Sequence, residues 1–231
     1  MKGSEPEQVW DFFQRRTQGV FVEVGANDPQ VNSQTWLLEQ KGWAGVLIEP
    51  QPKYFKKLQS VRHRSRIFAV ACASPDHERE TMLYLAQNDG QCGLTPTQFE
   101  ANYVGKVRVP VLTLNEVLGT ANVTRVDFVS IDVEGYQLEV LRGFNLAACR
   151  PALLLVEDRF RNWQTHLYLS HHGYRLIRRS GGLNSWYIPR ENPLSLKMLE
   201  RLRLFRFVWL GTPVRALKFW LREKMTKEAR K

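Results

Sequence analysis

Short apolar runs, each closed by a turn and followed by a helical pattern, recur every 20–25 residues through the first third of this chain. VFVEV (20–24), AGVLI (44–48) and IFAVACA (67–73) are the first three. Runs this short with no polar alternation read as strands buried on both faces, and strands separated by helices lie parallel. Between the first two, the turn Gly-Ala-Asn-Asp-Pro predicts a helix starting at Pro29 and reaching about Lys41. Between the second and third, PKYFKKLQSV is helical in pattern. VDFVSI (126–131) and ALLLVE (152–157) are a fourth and fifth buried strand. RFRNWQTHLYLSHHG then reads as a helix. YRLIRR and NSWYI are joined across Gly181-Gly182 so tightly that they must pair antiparallel. The stretch 80–112 breaks the rhythm and reads as an excursion or lid with an extra strand pair, closed by the helical cap TLNEVLG. The expected fold is α/β, a mostly parallel sheet with helices on both faces. Alternation alone does not separate it from a nicotinamide-binding Rossmann domain.

Composition sets the scale. With 231 residues, 43% of them hydrophobic, the chain fits one sizeable domain plus an appendage. Residues 1–193 are expected to form the domain and 194–231 a basic helical tail. Lys and Arg exceed Asp and Glu by ten, but from Lys197 onwards eleven bases face three acids, a net of +8. The rest of the chain is nearly neutral, so overall charge is no argument for nucleic acid. Cys72, Cys92 and Cys149 are odd in number and widely spaced, which points to a reducing compartment and no structural zinc. MKGSEPEQVWDFFQRR has no uninterrupted apolar stretch, so the expected location is the cytoplasm.

Carboxylates mark the strand ends. In an open parallel sheet, ligands bind outside the C-terminal ends of the strands. Glu23 lies in the first strand, Glu49 at the tip of the second, and Asp132 and Glu134 follow the fourth in IDVEGYQLEVLRGF. Any one of them is as readily a helix cap as a ligand. Together at one edge they read as a site. Glu49 stands where one carboxylate can accept both hydroxyls of a ribose. The first turn has a single glycine where a dinucleotide fold wants G-x-G-x-x-G, and Asp28 would repel a phosphate. A ligand with ribose, a cation and no phosphate suits it, and S-adenosylmethionine has all three properties.

FVEVGANDP, GWAGVLIEPQPKYFKKL, VPVLTLNEVL and VDFVSIDVEGYQLEVLRGF, in that order, resemble the FkbM family of S-adenosylmethionine-dependent O-methyltransferases. The resemblance covers roughly residues 19–189. It implies a class I methyltransferase sheet of seven strands with the last antiparallel. It further implies that Glu23, Gly25 and Asn27 line the methionine end of the cofactor, that Glu49 holds the ribose, and that Cys72 and Ala73 lie near the adenine. Pro29 departs from the second glycine common in the family and removes one backbone donor from the loop.

The expected reaction is methyl transfer to a hydroxyl of a sugar, glycolipid or related natural product. An alcohol must lose its proton around the transition state. Asp132 leaves the central strand beside the expected methyl group, so it is the first candidate for the base and also counts among the cofactor-contacting residues; Glu134 is the second candidate. A divalent cation held by the pair is the alternative and is not favoured, because no third ligand stands out, Glu157 and Asp158 being the nearest candidates. His166, His171 and His172 read as surface or capping residues. The acceptor pocket is expected from NDGQCGLTP with Trp163 and Trp186, and Asn184 and Tyr187 also come into consideration.

In the tail, Gly211-Thr212-Pro213 is expected to divide two helices. Val214, Leu217, Leu221 and Met225 share a face of the second, with Arg215, Lys218 and Arg222 opposite, the make-up of a helix lying on an anionic membrane surface. Packing on the domain itself or on a second subunit is the alternative. The protein would then be peripheral at the inner face of the membrane. A non-catalytic cofactor-binding or membrane-associated module is the competing functional class. The clustered carboxylates argue against it.

Overall fold

A computed structural model describes residues 3–88, 91–94, 102–181 and 183–228, the last three of these as backbone only. The strands are β1 (Val20–Val24), β2 (Ala44–Ile48), β3 (Ser65–Phe68), β4 (Ala71–Cys72), β5 (Glu80–Ala86), β6 (Tyr103–Leu112), β7 (Phe128–Ile131), β8 (Leu153–Glu157), β9 (Tyr174–Ser180) and β10 (Asn184–Pro189). The helices are α1 (Glu5–Phe12), α2 (Trp36–Gln40), α3 (Pro52–Val61), α4 (Leu114–Thr120), α5 (Gln137–Arg142), α6 (Leu146–Cys149), α7 (Gln164–His171), α8 (Met198–Phe205) and α9 (Gly211–Glu228).

Seven strands form one sheet in the order β3-β2-β1-β7-β8-β10-β9, with every pairing parallel except those of β10. This is the class I methyltransferase arrangement that the resemblance implied. The order reverses between β1 and β7, which places the binding crevice above those two strands. Alternate side chains of each strand feed two cores. Val22, Val24, Val129 and Ile131 point to the face covered by α4, α5 and α7. Phe21, Leu47, Phe128 and Trp186 point to the face covered by α1, α2 and α3. Both faces are therefore dry, which is why the strand sequences show no polar alternation.

The excursion forms a second sheet, β4-β6-β5, with β5 and β6 antiparallel. IFAVACA is thus two strands in two sheets, divided after Phe68. Thr113 starts α4 as expected, its Oγ1 accepting from the Glu116 amide (3.1 Å) while Glu116 accepts from the Thr113 amide (2.7 Å).

Two expectations are corrected. No helix starts at Pro29, and α2 begins only at Trp36. The intervening chain is used instead to satisfy buried Glu23, which accepts from Ser33 Oγ (3.1 Å), the Gln34 amide (2.9 Å) and Thr35 Oγ1 (2.5 Å). In the tail, Gly211-Thr212-Pro213 does not divide two helices; α8 passes into α9 through a π-helical turn, Arg206–Leu210. A π turn leaves backbone carbonyls in need of partners. Trp163 Nε1 donates to the Val208 carbonyl (2.8 Å), and Arg215 donates to the Phe207 carbonyl (2.7 Å).

Candidate active site

The ends of β1, β2, β7 and β8 open into a cleft of about 760 Å³, a volume typical of small-molecule sites. Glu23, Gly25, Asn27, Glu49, Cys72, Asp132 and Glu134 all line it. Ala73 does not; it is wholly buried behind Cys72. The second sheet supplies the wall opposite the strand ends, through Leu83, Gln87 and the segment 91–94.

The first loop and the β7 turn form the floor in close contact. Gly25 has φ +79°, and a Cβ there would lie 1.8 Å from the Asp132 carbonyl oxygen. Only glycine fits, on both conformational and steric grounds. Asn27, also left-handed, donates its amide to Glu49 Oε2 (2.8 Å), while the Gln51 amide donates to Glu49 Oε1 (2.8 Å). Each Glu49 oxygen keeps a further lone pair. Burial, reinforced by the charge of Glu23, pushes the Glu49 carboxyl up to about 7 against the lowering effect of those two amides.

Asp28 accepts from the amides of Gln30 (3.1 Å) and Val31 (3.0 Å) and pairs with Lys57 (3.4 Å). The backbone donors that could cradle a phosphate are therefore occupied by the protein's own carboxylates. Glu23 faces the cleft, but its carboxylate is turned to residues 33–35, and burial holds its pKa above the usual range. Arg62, fully buried, sits 3.9 Å from it and donates to Glu39 (2.7 Å), Thr35 Oγ1 (2.8 Å) and Ser33 Oγ (3.2 Å).

At the centre, the parallel register pairs Ile131 with Val156, which sets the next residues, Asp132 and Glu157, side by side. With Glu134 they bring three carboxylate oxygens within 4.8 Å of one another. Asp132 is exposed to the cleft and Glu134 and Glu157 are half-buried; desolvation by the surrounding protein first, then Glu157 and the charges of Glu134 and Glu23, raise the Asp132 carboxyl well above its ordinary value. Glu134 is not the cap of α5, because Tyr136 holds that position. It lies in the turn with φ +44°, a conformation costing a non-glycine residue about 1 kcal/mol or more. Gly135 follows at φ +94° with open space around its Cβ position, so the turn needs glycine for its backbone alone.

The family model for the FkbM methyltransferase domain matches residues 23–176, two-thirds of the chain. The chain belongs to the FkbM methyltransferase family. No curated protein matches the chain. Among solved structures, this FkbM chain is similar to a methyltransferase from Geobacter sulfurreducens (13% identity, 82% of this chain and 81% of the other, TM-score 0.46). A SAM-dependent methyltransferase from Aquifex aeolicus shows 12% identity over 80% and 89%, TM-score 0.42. A TehB-like SAM-dependent methyltransferase from Corynebacterium glutamicum shows 10% over 81% and 89%, TM-score 0.44.

Other expected pocket residues lie elsewhere. Trp163 binds the tail, its ring centroid 5.9 Å from that of Trp209 and tilted by 31°. Trp186 is fully buried in the opposite core, its Nε1 donating to Ser180 Oγ (2.8 Å). Asn184 bonds to Glu5, and Tyr187 is a core residue whose hydroxyl meets His166 Nδ1 at 3.3 Å. His172 stacks on Tyr168, and His171 lies beside it, in the last turn of α7. Of NDGQCGLTP, Asn88 and residues 91–94 line the cleft, and the remainder lies outside the described residues. Sequence reasoning missed Arg159, which lines the cleft 3.6 Å from Glu134. Its signal is the run Glu157-Asp158-Arg159 at a strand end. Asp158 turns away, accepting from the Phe160 amide (2.7 Å).

Proposed function

We propose that this FkbM family member is an S-adenosylmethionine-dependent O-methyltransferase acting on a hydroxyl of a sugar, glycolipid or related natural product. The observation that carries the reading is the carboxylate cluster of Asp132, Glu134 and Glu157, open to a cleft whose anion-binding donors are already filled. A nucleoside without phosphates fits this loop, and a sulfonium cation fits the three carboxylates.

Glu49 would take the ribose hydroxyls on its remaining lone pairs. Gly25 and Asn27 would pass under the cofactor, Cys72 would border the adenine, and Glu23 would shape the methionine end through residues 33–35. When bound, S-adenosylmethionine supplies an electrophilic methyl group. The protein's part is to hold the acceptor oxygen in line with it and to remove the hydroxyl proton. Desolvation and the charges of Glu157, Glu134 and Glu23 raise the proton affinity of Asp132. Asp132 in its ionised form accepts the acceptor's proton, and that raised affinity makes it a stronger base than an ordinary carboxylate. Glu134, held by Arg159, orients the acceptor.

The three carboxylates also favour a second reading, a divalent cation that acidifies the acceptor hydroxyl. Arg159 beside Glu134 weighs against it by supplying positive charge at the same place. Activity that survives chelator treatment supports Asp132 as the base; activity restored only by Mg²⁺ or Mn²⁺ supports the cation. The acceptor itself is sought by comparing glycans and lipids of cells with and without the protein by mass spectrometry. A mass difference of one methyl group on a hydroxyl supports the reading; methylation found only on nitrogen or carbon contradicts it.

A further inference from the structure

The tail is clamped to the domain by one face and apolar on the other. Val208 and Thr212 are buried, and Leu204, Phe207, Arg215 and Phe219 are partly covered. Arg215 Nε donates to the Phe160 carbonyl (3.0 Å), and Arg161 lies over the Phe219 ring at 3.8 Å. Residues at these spacings share one side of a helix. On the side away from the domain stand Met198, Leu202 and Phe205 along α8, all exposed. Val214, Leu217, Leu221 and Met225 continue the row along α9, Leu217 at 57% and Met225 at 69% exposure. The ridge is about 40 Å long at 1.5 Å per residue. Arg203, Lys218 and Arg222 flank it and Arg206 and Lys224 stand within it, in a segment carrying a net charge of +8.

An apolar ridge that faces away from its own domain is not a core face. Among the described residues no helix is long and apolar enough to cross a membrane. A second copy laid on the ridge would bring another +8 against the first. An anionic lipid surface neutralises the basic flanks while the apolar row enters the acyl boundary.

We propose that α8, the π turn and α9 form a rigid docking ridge for an anionic bilayer surface. The ridge is tied to the catalytic cleft by the six residues 158–163. Arg159 of that loop faces the cleft, while Phe160, Arg161 and Trp163 face the tail. Docking therefore holds the cleft beside the lipid, where an amphiphilic acceptor is found. The ridge requires neither the cofactor nor the acceptor assigned above.

The test is co-sedimentation of the full chain with vesicles of phosphatidylcholine alone or with 30% phosphatidylglycerol, alongside sedimentation velocity without lipid. Binding to the anionic vesicles should be at least ~100-fold tighter than to neutral ones and should fall several-fold at high salt. Leu217→Ser with Leu221→Ser changes no charge and touches only exposed positions, so melting should be unaltered while vesicle affinity drops at least ~10-fold. Equal indifference to both vesicles overturns the proposal. So does unchanged binding by the double variant, which would mean charge attraction without docking of the ridge. A dimer that the double variant dissociates, with no vesicle binding, assigns the ridge to a second copy instead.

Discussion

Asp132 and Glu157 follow paired positions at the ends of two neighbouring parallel strands, and with Glu134 they bring three carboxylate oxygens within 4.8 Å of one another. Crowding of this kind favours the protonated form, and the Asp132 carboxyl is raised well above its ordinary value. Asp132→Asn keeps the shape but removes the titratable group. Methyl transfer should fall about 10²–10⁴-fold, the span of general-base contributions, with S-adenosylmethionine affinity changed only a few-fold. Single-turnover rates and calorimetry on the same variant check this.

Glu49 links pH to both stability and binding. Its folded-state value of about 7 lies above the ordinary 4.5. The folded protein therefore binds more protons between those values. The resulting stabilisation is fully present below about 4.5 and is lost as pH rises through 7. Across that window the loss is on the order of 3 kcal/mol. Glu49→Gln should flatten this part of the melting profile. Ribose hydroxyls need the ionised carboxylate, so S-adenosylmethionine affinity should weaken as pH falls below 7 in the native protein and stay level in the variant. Melting curves and titrations from pH 5 to 8 read both effects.

Arg62 is the charge that keeps the wall of the cleft in place, bonding Glu39, Ser33 and Thr35 with no exposure of its side chain. Arg62→Met leaves Glu39 and Glu23 buried without their guanidinium. The cost should be about 3–5 kcal/mol, the penalty for breaking a buried pair from one side. Chemical denaturation checks it. A further Glu39→Gln change should recover part of the loss.

The fold was legible because each central strand is apolar on both faces, and the short Gly181-Gly182 link forces β9 and β10 antiparallel. Glu49 and Asp132 were legible because each ends a strand at the same edge. Arg62 was not, since a lone arginine after a helix gives no sign of the buried carboxylates it will meet. The 28–35 segment misled for a related reason: Pro29 is a good helix start, but the demand of Glu23 for hydrogen bonds wins locally. Trp163 looked like a sugar platform, and only the π turn at 206–210, unpredictable from spacing, shows why its indole is elsewhere.

Removing residues 194–231 should damage the domain itself. The truncation uncovers Phe160 and takes Phe207 and Val208 out of the core to which they are packed. Losing one buried aromatic contact cluster of this kind costs several kcal/mol, about 3–5 for a single Phe truncation. A clear drop in melting temperature and a loosened cleft, read as weaker S-adenosylmethionine binding, are expected. A truncated chain with native melting and affinity would mean that the tail is independent.

The central claim is that the cleft above β1, β2 and β7 takes S-adenosylmethionine with its ribose on Glu49. Isothermal titration calorimetry of the full chain at pH 8 tests it most directly. The predicted result is one saturable site for S-adenosylmethionine, weakened at least ~10-fold by Glu49→Ala through loss of charge-assisted hydrogen bonds, with no heat of binding for NAD. No detectable S-adenosylmethionine binding by the folded native chain, or binding that Glu49→Ala leaves unchanged, would contradict it.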